Sequence, residues 1–223
     1  MSEQLIHLGT DVDDCLIDSA GLVATTINKQ YGTNLSNMNW YQAHDPEVWG
    51  VEDQRVAWGR VNDVLHSREF IENAQVLEGA GHVLKAVKLG GHALSAATGR
   101  PDTPGNRKMT FELLQFHYPK LFTSDRLYFT DHFGQSGKKG SKVDVAIAQQ
   151  FTHFVDDNLD HANPLAEAGY VTYLLGDYPW NQGEAHPRVI RVPDWDVIGE
   201  HLFSDLERRT SMDLADRVIT ESK

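Results

Sequence analysis

An α/β fold is predicted, with a central parallel sheet, helices on both faces and a small helical insert after the first strand. Three observations predict it. Strand-like apolar runs alternate with helical patterns from about residue 79 to residue 192. The first apolar run, Leu5 to Thr10, breaks directly into Asp11-Val12-Asp13-Asp14. The stretch 35–75 differs in texture, being polar, rich in Asn, Asp and Glu, and home to Trp40, Trp49 and Trp58. Strands spaced by helices of roughly 10–15 residues need crossover connections, and crossovers produce a parallel sheet.

Each element has its own signal. Leu5 to Thr10 is short, apolar and bounded by acids, which suits a buried strand ending in a polar loop. From Ser19 to Tyr31, Leu22, Val23 and Ile27 recur at helical spacing, with Asp18 or Ser19 as the N-cap. Within the insert, Gln54 to Leu65 carries a helical pattern. Beyond it come helix Gly79–Leu89, strand Ala93–Thr98, helix Lys108–Phe116 and strand Leu127–Thr130. Helix Lys142–Gln150, strand Thr152–Val155, helix His161–Ala168, strand Tyr170–Leu175 and a short strand Val189–Val192 complete the series. The organisation expected is a core of residues 1–18 and 79–200, a helical cap over 19–78 and a charged helical tail over 201–223.

Composition narrows the function. Twenty Lys and Arg against 32 Asp and Glu leave a formal charge of −12. That balance excludes a nucleic-acid polymer as partner, since such binding rests on clustered cations. At 40% hydrophobic the chain has material for a real core and is not disordered. Its single cysteine, Cys15, excludes an internal disulfide framework and a cysteine zinc site. Met1-Ser2-Glu3-Gln4 offers no basic signal region, and no apolar run approaches the roughly 18 residues of a membrane span. A cytoplasmic protein with no membrane partner is expected.

In open α/β sheets, ligands bind outside the carboxyl ends of the strands. There the sequence places Asp11 and Asp13, then Thr98-Gly99-Arg100, then Asp156-Asp157, with Lys142 opening the helix before the last strand. If the chain stays extended, Asp11 and Asp13 leave the same face. Gathering these carboxylates with Asp14 creates strong repulsion unless a cation neutralises them or some of them protonate, and hard oxygen ligands suit Mg²⁺.

These residues resemble the haloacid dehalogenase-like (HAD) hydrolases. Asp11-Val12-Asp13-Asp14-Cys15-Leu16 is similar to the family's first motif, Asp-x-Asp-x-Thr/Val-Leu after a hydrophobic strand. Thr98 matches the second, Lys142 the third, and Phe154-Val155-Asp156-Asp157-Asn158 the fourth, in the family's order over residues 4 to 192. Cys15 stands where Thr or Val is usual, and Asp14 where Gly is common; neither change removes a catalytic group. The resemblance implies a Rossmann-like core with a cap, and phosphoryl transfer through an aspartyl phosphate. Asp11 would be the nucleophile, and Asp13 the acid and then the base. Mg²⁺ would be held by Asp11, the backbone carbonyl of Asp13 and the acidic pair, with Asp157 favoured over Asp156. Thr98, Gly99 and Lys142 would hold the phosphoryl oxygens. Tyr178-Pro179-Trp180-Asn181 and Val192-Pro193-Asp194-Trp195 add a likeness to the 5′-nucleotidase-like branch.

The substrate expected is a small phosphorylated metabolite or a nucleotide. Arg100 would either contact it or form a structural ion pair. Trp40 and Tyr41, with Trp49 and Trp58, would either stack a base or fill the cap. Lys138 and Lys139 are close rivals of Lys142. The glycines at 134, 137 and 140 lack P-loop spacing and read as a loop. The eleven histidines show no paired metal spacing and read as surface or structural. Two other roles remain open beside hydrolysis: transfer to another acceptor, and non-catalytic binding on the same fold. A signalling receiver domain, which would be shorter and lack the insert, fits less well.

Overall fold

A computed structural model describes residues 5–36, 46–132, 134, 136–137 and 139–204. Trp40, Tyr41 and most of the tail lie outside the described residues. Six strands form one parallel sheet in the order β5-β4-β1-β6-β7-β8. They are β1 (His7–Thr10), β4 (Ala93–Thr98), β5 (Leu127–Phe129), β6 (His153–Asp156), β7 (Val171–Leu175) and β8 (Val189–Val192). The connections from β1 run one way to β4 and β5, and the later ones run the other way to β6, β7 and β8. The carboxyl edge of β1 is therefore the switch point, where a crevice opens.

Burial explains the composition of the central strands. β1 and β6 are buried along their whole length, as expected of strands covered on both faces. Gly9 is dictated by this packing: a Cβ there would come within 2.6 Å of the rings of Phe151 and Phe154. The crossovers are α5 (Ala80–Leu89), α6 (Pro104–His117), α7 (Lys142–Gln149) and α8 (Leu159–Glu167). α6 begins four residues before the expected Lys108, because Thr103 caps it through Asn106 N–H and Pro104 occupies the first turn. α8 starts at Leu159 rather than His161, capped by Asn158.

Between β1 and α5 lies a hairpin-like pair, β2 (Ile17–Asp18) and β3 (Gln75–Val76), antiparallel with Ile17 opposite Val76. α1 (Ser19–Tyr31), α2 (Pro46–Trp49), α3 (Gln54–Leu65) and α4 (Arg68–Asn73) rise between these two strands. Asp18, not Ser19, caps α1. Trp49, Val61, Val64, Phe70 and Ile71 are buried in the same apolar cluster as Ile6 and Leu8 of the sheet layer. Residues 195–204 form a last helix, α9, which the motif reading of Asp194-Trp195 missed. Asp194 caps it, accepting from Val197 N–H at 3.0 Å. No described helix is long and apolar enough to cross a membrane.

Candidate active site

Asp11 follows β1 by one residue, and its N–H still donates to Val155 O at 2.9 Å. The chain then turns. Leu16 and Ile17 both donate to the Val12 carbonyl, at 2.9 and 3.1 Å. Asp14 takes the left-handed conformation at φ 54°, which Asp tolerates better than most residues. Asp11 and Asp13 thus reach one cavity through a turn, and the extended geometry expected from their spacing is not the reason.

Three aromatic side chains hold this turn by successive carbonyls. Tyr178 Oη donates to Asp14 O at 3.3 Å, Trp195 Nε1 to Cys15 O at 2.7 Å, and Tyr118 Oη to Leu16 O at 2.6 Å. Each such bond contributes about 1 kcal/mol net. Their larger effect is positional, since they fix the backbone that carries Asp11 and Asp13.

Lys142 opens α7 behind Ser141, whose hydroxyl accepts from Asp144 N–H. Its Nζ donates to Asp11 Oδ2 at 2.6 Å and to Asp156 Oδ2 at 2.8 Å, from a side chain only 1% exposed. Burial alone would lower the lysine's pKa, but the two carboxylates raise it above its ordinary value. Asp156, despite its burial, is held down to about 2 by Lys142 and His161. Asp11 is raised by burial and by Asp156 and Asp13, against the pull of Lys142.

Arg100 sits two residues past Thr98, whose hydroxyl accepts from Arg100 N–H at 3.2 Å. The guanidinium grips Asp13 with two nitrogens, Nε at 2.8 Å and Nη2 at 2.6 Å, while Nη1 donates to Thr110 Oγ1. The ion pair considered for Arg100 is present, and Arg100 also lines the cavity over these groups. Burial works to raise Asp13, yet Arg100 and the Ser19 hydroxyl (2.6 Å) hold it below the usual carboxylate range.

A cavity of about 550 Å³ opens over these groups. Asp11, Asp13, Asp157, Gly99 and Arg100 line it; among the described lining residues Thr98, Lys142 and Asp156 do not appear. Two histidines read as surface or structural line it as well. His161 Nδ1 lies 3.4 Å from Asp156 Oδ1, and its Nε2 meets His132 Nδ1 at 3.0 Å. Burial and the neighbouring His161 push His132 down to about 4, so it is neutral near pH 7. Trp180, noted before only for its motif, stacks on Tyr178 and donates from Nε1 to Asp157 Oδ2 at 2.5 Å.

No family model and no curated protein matches the sequence. Solved structures do match in fold. A predicted phosphatase from Clostridium acetobutylicum superposes with TM-score 0.66 at 14% identity, covering 90% of this chain and 99% of that one. A HAD family hydrolase from Deinococcus radiodurans, with bound phosphate and sodium, gives 0.55 at 15% identity over 94% and 98%. A predicted phosphoglycolate phosphatase from Haemophilus somnus gives 0.56 at 18% identity over 89% and 98%. The fold is that of the HAD hydrolases. On this core Asp11, Asp13, Thr98, Lys142, Asp156 and Asp157 gather at the carboxyl edges of β1, β4 and β6, while Trp40 and Tyr41 lie outside the described residues.

Asp157 differs from its neighbour. It is buried, accepts from Trp180 and lies 3.8 Å from the Cys15 thiol. Burial, then Asp156 and Asp11, push its carboxyl well above 3.8. A raised folded-state value favours the fold below the unfolded pKa, and that contribution is lost as pH rises toward the folded one. With EDTA present, Asp157→Asn is therefore expected to raise Tm relative to the native chain by a margin that widens from pH 5 to pH 8. Scanning calorimetry at both pH values checks this, and a constant margin would contradict it.

Proposed function

We propose that this protein is a metal-dependent phosphatase that transfers the phosphoryl group of a small phosphomonoester to Asp11 and then to water. One observation carries the reading: Asp11, at the switch point of the sheet, faces the cavity with Lys142 on one oxygen and Asp13 two residues on. In this reading Asp11 Oδ attacks phosphorus and the ester oxygen leaves. Asp13, having taken up a proton from solvent, delivers it to that oxygen, and the resulting carboxylate, still held by Arg100, later takes the proton of the attacking water. Lys142, Thr98 and the Gly99 backbone stabilise charge spread over the phosphoryl oxygens. The helices α1–α4 form a cap, residues 19–78, over the core of residues 1–18 and 79–200.

The donors present fit Mg²⁺. Carboxylate oxygens of Asp11 and Asp156 and a His161 nitrogen lie within 4.8 Å of one another. Asp156 is already engaged by Lys142, by Asn158 N–H and by His161. Mg²⁺ prefers oxygen to imidazole, so we assign the metal-facing carboxylates to Asp11 and Asp157, with the Asp13 carbonyl. When bound, the ion supplies positive charge to the phosphoryl oxygens. The nucleotide preference suggested by the 5′-nucleotidase-like segments is supported by Trp180, an aromatic side chain in the cavity lining.

The experiment is phosphate release from a panel of nucleotides and sugar phosphates, with Mg²⁺ or with EDTA. Release that EDTA abolishes and Mg²⁺ restores is the expected outcome. Release unaffected by exhaustive chelation would remove the metal from the account.

A further inference from the structure

The cavity also says what kind of alcohol leaves, given the phosphatase reading on which this inference rests. Its wall opposite the carboxylates is built from α1 and α3. Val23 comes from α1, and Trp58, Val61 and Leu65 come from one face of α3. Pro179 and Trp180 close the side nearest Asp157. The polar lining groups on α1 and α3 are neutral, Ser19 and Asn62, and Ser19 is spent on Asp13.

Three arginines of α3 and α4 are engaged elsewhere. Arg55 pairs with Asp53 at 2.7 Å, and Arg68 with Glu72 at 2.8 Å. Arg60 stacks over Tyr31 at 4.0 Å and donates to the Trp49 carbonyl. Among the described lining residues the one Arg or Lys is Arg100, which already holds Asp13 and Thr110. Asp160 adds a further carboxylate to the lining. An anionic leaving group would thus lose its water to an apolar wall whose described lining residues from α1 and α3 include no Lys or Arg, which is costly. The volume, about 550 Å³, falls within the ~300–1,000 Å³ of pockets that enclose drug-sized ligands. A two-carbon acid would leave most of it unfilled.

We propose that the site selects phosphomonoesters of uncharged alcohols bearing a flat, largely apolar ring, and discriminates against esters whose alcohol carries a carboxylate. The ring packs against the face formed by Val23, Trp58, Val61 and Leu65, with Trp58 as the aromatic surface it meets.

The test compares kcat/KM for benzyl phosphate, thymidine 5′-monophosphate, glycerol 3-phosphate and 2-phosphoglycolate. All four leave as primary alcohols, so intrinsic reactivity differs little among them. Benzyl phosphate or the nucleotide should exceed 2-phosphoglycolate by about 100-fold or more, with glycerol 3-phosphate between. The two ring esters separate a simple apolar preference from one needing the nucleoside's polar groups. Val61→Lys should narrow the ratio of benzyl phosphate to 2-phosphoglycolate by about 10-fold, with folding checked by circular dichroism. Equal or better turnover of 2-phosphoglycolate by the native chain would overturn the inference and leave the phosphatase reading intact. Failure to release phosphate from all four would bring down that reading and this inference together.

Discussion

Lys142→Met is expected to destabilise the fold by about 3–5 kcal/mol, the range for stripping one partner from a buried ion pair. The native ammonium lies between Asp11 and Asp156, at 2.6 and 2.8 Å. Asp156 is fully buried and Asp11 nearly so, so without Lys142 two carboxylates face each other away from water. One of them must protonate or draw in solvent, and either response lowers stability. Met keeps the length and the apolar stem of the side chain, which isolates the charge from the packing. For a chain of this size the loss corresponds to a Tm lower by roughly 6–20 °C, read by calorimetry at pH 7. A shift under 2 °C would mean that the cluster is solvated and that Lys142 does not organise it.

Asp11→Asn should have the opposite profile, folding well and losing turnover by about 10⁴-fold or more. Asn preserves the shape and can still accept from Val12 N–H, which Asp11 Oδ1 does at 2.7 Å. It removes a charge that burial and neighbouring Asp156 already disfavour, so the structural penalty is small. What disappears is the nucleophile, for which an amide oxygen is no substitute. Phosphate release measured beside far-UV circular dichroism separates the two effects. Turnover within 10-fold of the native chain would remove Asp11 from the chemistry.

The strands were legible because each is an apolar run cut off by polar or glycine residues, and burial on both faces of the sheet requires such runs. The residues at their carboxyl ends were legible for the same reason: Asp11 is the first charged residue after Leu8, and Thr98 and Asp156 are the first polar groups after Ala97 and Val155. Lys142 could be told from Lys138 and Lys139 by its distance from Asp156. What the sequence hid are contacts between distant positions. His132 and His161 meet across 29 residues, and neither spacing nor composition marks them as partners. Trp180 reaches Asp157 from 23 residues away, and Trp195 reaches the Cys15 carbonyl from 180. The pair β2–β3 is too short, at two residues each, to leave a pattern of alternation. The start of α6 was readable in principle, since Thr103-Pro104 is an N-cap followed by a first-turn proline.

These findings place most weight on the bond between phosphorus and Asp11, and trapping that bond is the most direct measurement. The native protein, mixed with a turned-over phosphomonoester and Mg²⁺ and quenched in acid within milliseconds, should yield a peptide phosphorylated at Asp11 and cleaved by hydroxylamine. The adduct should be absent from Asp11→Asn. Turnover with no adduct on Asp11 at any quench time, or with the phosphoryl group on another side chain, would contradict the account at its centre.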